Sequence, residues 1–147
     1  MNPESLQSYL HERIPLSRAM AIEVRAATPQ DVTLYAPLAP NINHRDTVFG
    51  GSASAVAILA AWSVLYVRMQ AEGLAGRIVI RRNTMSYERP ISAGFTASAT
   101  APGDDAWATL ATTIGRHRPG RIRVSSLLES EGREVGALEG EFVVLPL

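Results

Sequence analysis

Apolar positions recur along the chain with two periods, one helical and one alternating. Leu6, Tyr9, Leu10 and Ile14 lie at helical spacing and predict a short amphipathic helix over Glu4 to Ile14, stopped by Pro15. Met20, Ile22 and Val24 alternate with polar or small neighbours, which predicts a strand over Ser17 to Ala27. Pro29, Gln30 and Asp31 supply a turn, and Val32, Leu34 and Ala36 alternate again up to Pro37. A loop rich in Pro, Asn, His and Asp follows, from Leu38 to Val48. A long helix then runs from about Phe49 to Met69 or Ala71, ended by Gly73 and Gly76. Strands are expected over Arg77 to Arg89 and Ile91 to Thr100, broken at Pro90. Asp104 or Asp105 can cap a helix whose Trp107, Leu110, Ala111 and Ile114 share one face. Two last strands, Arg121 to Ser130 and Glu134 to Leu145, join through Glu131-Gly132-Arg133.

Strands that come in consecutive pairs around one long helix predict an α+β layer, not a doubly wound sheet. No repeat, low-complexity tract or linker divides the chain, so residues 1–147 are expected to form one domain. No charged residue occurs from Val48 to Val67, and about 20 helical residues reach across a bilayer core. Gly, Ala and Ser fill much of that segment, however. Such residues suit a helix that a sheet approaches closely, so we read it as a core helix and expect no membrane span.

Composition narrows the chemistry. Hydrophobic residues make up 46% and charged residues 19%, as in a globular protein. Fourteen basic residues, all arginine, balance fourteen acidic ones. That neutrality offers no general attraction to nucleic acid or to an anionic membrane. The absence of cysteine rules out a thiol nucleophile and thiolate metal ligands. His11, His44 and His117 are scattered and no carboxylates cluster at ligand spacing, so no metal and no cofactor is expected. Met1 to Ser17 lacks the pattern of a secretory signal, and a cytoplasmic location is expected.

The stretch Asn41-Ile-Asn43-His-Arg-Asp46-Thr-Val-Phe49-Gly-Gly51 carries the candidate chemistry. Adjacent glycines are costly inside a helix but cheap in its first turn. There they leave amide N–H groups open to a ligand, and the helix dipole favours negative charge. Those are the properties of an oxyanion hole. Gly50 and Gly51 also fit a plainer role, admitting a strand that crosses close by.

The segment Asn43 to Gly51 resembles the pattern of hotdog-fold acyl-CoA thioesterases, in which an Asn precedes a Phe-Gly-Gly helix start. The element order matches that fold over nearly the whole chain. More narrowly, Asn41, Asn43, Phe49-Gly-Gly51 and Trp62, with the Trp107 helix, resemble the thioesterase-like domain at the C-terminus of some bacterial GNAT acetyltransferases. In 147 residues that domain would stand alone. The resemblance implies a curved antiparallel sheet wrapped around the helix and a homodimer, or a dimer of dimers. It places the acyl-CoA or acyl-carrier-protein substrate between subunits. By position it gives Gly51, with Gly50, the oxyanion-donor role, and Asn43 the carbonyl or the attacking water. Asn41 and Phe49 would border the substrate.

One departure matters. Many hotdog thioesterases carry Asp or Glu about two turns into the helix, where this chain has Ala57, Ile58 and Leu59. His44 is then a candidate base, or a loop histidine bonded to backbone. Asp46 can orient His44 or act as base, although it or Thr47 also fits a helix cap. Ser54 can hold a water or bond back to a helix carbonyl. Asn83 and Tyr87, on the long third strand, can reach a partner's site. The run from Arg116 to Arg123 can meet the phosphates of coenzyme A, or form a solvated helix end. These residues support thioester hydrolysis by water first, a non-catalytic acyl-binding module second, and a hydroxyacyl-thioester dehydratase last.

Overall fold

The computed structural model describes residues 1–147. In chain order its elements are α1 (Pro3–Arg13), α2 (Pro15–Ala19), β1 (Glu23–Ala27), β2 (Asp31–Ala36), α3 (Gly50–Ala71), β3 (Arg77–Tyr87), β4 (Phe95–Thr100), α4 (Asp104–Gly115), β5 (Gly120–Ser130) and β6 (Arg133–Leu145). All six strands form one antiparallel sheet in the order β1-β2-β4-β5-β6-β3. The central helix α3 packs against β2, β3, β4, β5 and β6. This is the expected α+β hotdog architecture.

Side-chain size explains how the helix sits. Ala53, Val56, Ala57, Ala60 and Val64 are fully buried or nearly so. They occupy the helix side turned to the sheet, where small residues permit close approach. Alternate residues of the strands meet them: Leu34, Ala97, Val124, Leu128 and Leu138 are all buried. The Ser126 hydroxyl on β5 donates 2.6 Å to the Ala57 carbonyl and ties helix to sheet. α3 closes at Gly73, whose φ of +66° suits glycine at a left-handed cap. Leu74 N–H donates to Met69 O and Gly73 N–H to Gln70 O, the paired bonds of a Schellman motif. The opposite stripe of α3, containing Gly51, Ala55, Ile58 and Trp62, is not fully buried, so a strip of the apolar helix stays partly open while most of its circumference is covered.

Three local expectations need correction. The strand expected over Ser17 to Ala27 begins only at Glu23, and Pro15–Ala19 is a short helix instead. Proline's fixed φ suits the first helical position as well as it stops the preceding helix. Ser17 Oγ donates to Ile14 O within that turn, and Ala21 at φ +56° redirects the chain into β1. The strand expected from Ile91 starts at Phe95. Before it the backbone serves the loop ahead of α3, since Ile91 O accepts from Val48 N–H. Finally, Gly103 caps α4 and no side chain bonds there. Asp104 and Asp105 lie within its first turn, where their charges face the positive end of the helix dipole.

Candidate active site at the start of the central helix

The loop before α3 is held by backbone bonds to its neighbours. Val48 N–H donates to Ile91 O, Phe49 N–H to Asn41 O, and Asn43 N–H to Thr47 O, each at 2.8 Å. Asn41 is buried, and its amide donates to Met20 O at 2.9 Å and Pro37 O at 2.8 Å. It therefore fastens this loop to the chain entering β1 and leaving β2. Asn43 organises the turn itself. Its carboxamide oxygen accepts from Arg45 N–H (2.8 Å) and Thr47 N–H (3.2 Å), and its Nδ2 donates to Thr47 Oγ1 (2.9 Å) and Val48 O (3.4 Å).

Phe49 occupies the position before the helix, and no side chain caps α3. The cap expected of Asp46 or Thr47 is therefore absent. Thr47 Oγ1 is engaged by Asn43, and Asp46 sits on the exposed turn at φ +62°. Phe49 O accepts from Ser52 and Ala53 N–H. The Gly50 and Gly51 N–H groups precede the first intrahelical bonds and have no backbone partner, as helix geometry requires of the first turn. With no side-chain cap, they stay available at the positive end of a 22-residue helix.

Gly50 borders a cavity of about 280 Å³ lined also by Val48, Ala53, Tyr87, Glu88, Arg89, Pro90 and Ile91. Tyr87 reaches it from the end of β3, donating its hydroxyl to Gly50 O at 3.1 Å. A methyl at Gly50 would stand 3.5 Å from the Tyr87 ring, and one at Gly51 would collide with the Phe49 ring. Glycine is thus required at Gly51 unless the exposed Phe49 ring swings away. Ser54 stands half-buried one turn further along α3.

The remaining candidates are more dispersed. His44 is exposed beside Asp46 on the turn, neither lines this cavity, and the ion pairs of the molecule lie elsewhere. Asn83 shares a strand face with Tyr87, opposite Gly140, but lies four residues back, about 13 Å at strand rise. It borders a separate polar cavity with Arg82, Arg123, Glu139 and Glu141. Within one chain it does not meet the helix start. The arginine run approaches β5 at Gly120, which lies eight residues from Leu128, the β5 residue level with Tyr87. That is about 26 Å along the strand. At the helix start the cations are instead Arg89 and, in an adjoining cavity of about 550 Å³, Arg133.

Sequence reasoning missed Glu88, the only carboxylate lining the cavity beside Gly50. Periodicity gave no signal for it: the strand expected to reach Arg89 ends at Tyr87, and Glu88 lies just beyond it. No group of three or more His, Asp or Glu side chains converges as a metal site would need. The shifted ionisations lie at the other end of α3. Burial, with the Tyr9 phenol beside it, pushes Tyr66 up to about 12. The Trp107 indole and then Arg68 hold Glu72 below its ordinary 4.5.

A long helix laid on a six-stranded antiparallel sheet, opening with two uncapped glycine amides, defines a thioesterase-like hotdog protein. Residues 3–146 match the family described as "Putative thioesterase (yiiD_Cterm)", and the chain belongs to that family. Among solved structures it resembles a "putative thioesterase from Shewanella oneidensis", with 25% identity and a TM-score of 0.88 over 98% of this chain and 97% of that one. It likewise resembles a Chlorobaculum tepidum protein of unknown function, with 26% identity and a TM-score of 0.90 over 99% and 98%. A Haemophilus influenzae thioesterase shares the fold at 14% identity, with a TM-score of 0.79 over 100% of this chain and 92% of that one.

Proposed function

We propose that the protein hydrolyses the thioester of an acyl-CoA or acyl carrier protein, with water as nucleophile. The observation that carries this reading is the pair of free amides at Gly50 and Gly51, with a cavity beside Gly50. A thioester carbonyl seated there would find donors and a dipole aimed at the oxygen that becomes negative when water attacks. Water adds to the carbonyl carbon, the carbon–sulfur bond breaks, and a carboxylic acid and a thiol leave. In this reading Glu88 takes the proton from water and returns it to sulfur, the role the helix carboxylate fills in many relatives. His44 and Asp46, on the neighbouring turn, are the other candidates. Asn43 shapes the loop through its four bonds, while Tyr87 and Phe49 flank the carbonyl.

The reading includes a homodimer. β3 is an edge strand, and Val79, Ile80 and Tyr87 are exposed along it. Pairing two β3 edges would satisfy their open backbone groups and bring Asn83 and Tyr87 toward the partner's site. Light scattering should then give twice the chain mass.

The test is release of free thiol from short, medium and long acyl-CoAs and from acyl carrier protein. Turnover in wild type, with a loss of at least tenfold in Glu88→Gln, supports the proposal. No thiol above background on any substrate refutes it. A second reading, acyl-thioester binding without turnover, is favoured by the missing carboxylate between Phe49 and Val67. It predicts calorimetric binding without thiol release.

A further inference from the structure

The Gly50 carbonyl and the Gly51 N–H belong to one peptide unit. Resonance across the C–N bond couples its two ends, so charge drawn toward the oxygen leaves the N–H more positive. Two donors reach that oxygen. Ser54 N–H supplies one by helix geometry, and the Tyr87 hydroxyl supplies the other at 3.1 Å. A carbonyl oxygen has two lone pairs, so it accepts both. The Gly51 N–H at the far end of the same unit has no backbone partner.

The sheet holds Tyr87 in place. It is the last residue of β3 and pairs with Gly136 of β6. Just beyond it, Glu88 and Arg89 N–H both donate to Val135 O, at 3.0 and 3.2 Å. Gly50 admits the ring, whose nearest atom lies 3.5 Å from where a side chain would begin. Tyr87 is 59% exposed, so loss of its hydroxyl opens no buried hole. Water that takes over at the Gly50 oxygen satisfies it at little cost to folding, but without the fixed direction on which preorganisation depends.

We propose that Tyr87 is a positioning residue for thioester hydrolysis: through its bond to the Gly50 oxygen it fixes and polarises the Gly50–Gly51 peptide, strengthening Gly51 N–H as donor to the substrate carbonyl. The inference rests on the reading of Gly50 and Gly51 as the thioester site. Hydrogen bonds in series strengthen one another by about 10–30%. An oxyanion donor contributes ~10²–10³-fold to kcat, and that share of it is a factor of about two to eight. The gain grows as negative charge develops on the substrate oxygen, so it falls on kcat and not on KM.

Tyr87→Phe removes the hydroxyl and keeps the ring beside Gly50. In a thiol-release assay its kcat should fall about twofold to eightfold, with KM within about twofold of wild type and Tm within about 2 °C. The direct readout is the infrared carbonyl band of a bound octanoyl-CoA analogue in which a methylene replaces the thioester sulfur, isolated by carbon-13 labelling of that carbonyl. This ketone is not hydrolysed, so the band is read whether or not the protein turns over thioesters. The band should lie lower in wild type than in Tyr87→Phe. Equal bands in the two proteins overturn the proposal, and so does a fall in kcat that comes with a loss of Tm and an unmoved band, which assigns Tyr87 to the fold alone. Absence of ketone binding to wild type overturns the thioester site and this inference with it. A band that rises in the variant, without thiol release from octanoyl-CoA by wild type, supports the inference and refutes hydrolysis. Thiol release at equal kcat with equal bands does the reverse.

Discussion

Replacing Gly50 by alanine should move stability and activity in opposite directions. Gly50 is the first residue of α3 and does not have positive φ, so alanine adopts its backbone conformation without strain. The added methyl would lie 3.5 Å from the Tyr87 ring, in ordinary contact. Such Gly→Ala changes stabilise by about 0.4–1 kcal/mol, because the unfolded chain loses freedom. For a chain of this length that raises Tm by about 1–4 °C. The same methyl enters the cavity of about 280 Å³ where the thioester carbonyl is proposed to sit. Displacing the carbonyl from its donors should lower kcat/KM by at least about tenfold, or 1.4 kcal/mol, less than the ~10²–10³-fold seen when an oxyanion donor is removed outright. Calorimetric melting and a thiol-release assay on one preparation measure both quantities. A stabilised variant with unchanged kcat/KM would refute the placement of the carbonyl. A destabilised one would refute the account of the helix start.

Asn43→Asp keeps the acceptor for the Arg45 and Thr47 amides, whereas Asn43→Ala loses every bond the side chain makes. Alanine should therefore cost about 1–2 kcal/mol in urea unfolding and aspartate clearly less, with activity following stability; activity lost without destabilisation would instead mean direct contact with substrate. Ser126→Ala removes the buried donor to Ala57 O and should cost about 1 kcal/mol, and an unchanged urea midpoint would show the bond to be without net value. Glu72 ionises more readily folded than unfolded, held by Trp107 and Arg68, so its contribution is present above its ordinary 4.5 and is lost as pH falls through its lower folded value. Wild type should thus lose more stability on acidification below that point than Glu72→Gln, and parallel curves would contradict the assignment.

The elements most legible from the pattern were those with a single dominant period. α3 was visible because twenty residues without charge can only be a core or membrane helix, and its glycine end follows from backbone sterics. The strands of β5 and β6 were read to within a residue, since one face of each is buried and alternation is then enforced. Shorter stretches were misread where local and distant forces compete. Met20 and Ile22 are buried as alternation suggested, yet the chain reaches Met20 through a helical turn begun by Pro15.

For the site, the sequence by itself determined that two glycine amides open the central helix and that no carboxylate lies within it. The residue types decide that locally: two glycines without Cβ, followed by a helix without a carboxylate. Only the tertiary structure decided what stands beside them. It set Tyr87 and Glu88 against Gly50 across 37 and 38 positions of chain, placed the arginine run at the far end of the sheet, and left the Gly51-to-Trp62 stripe partly open. Those are matters of strand order and register, which arise from the packing of whole faces and leave no trace in the spacing of neighbouring residues.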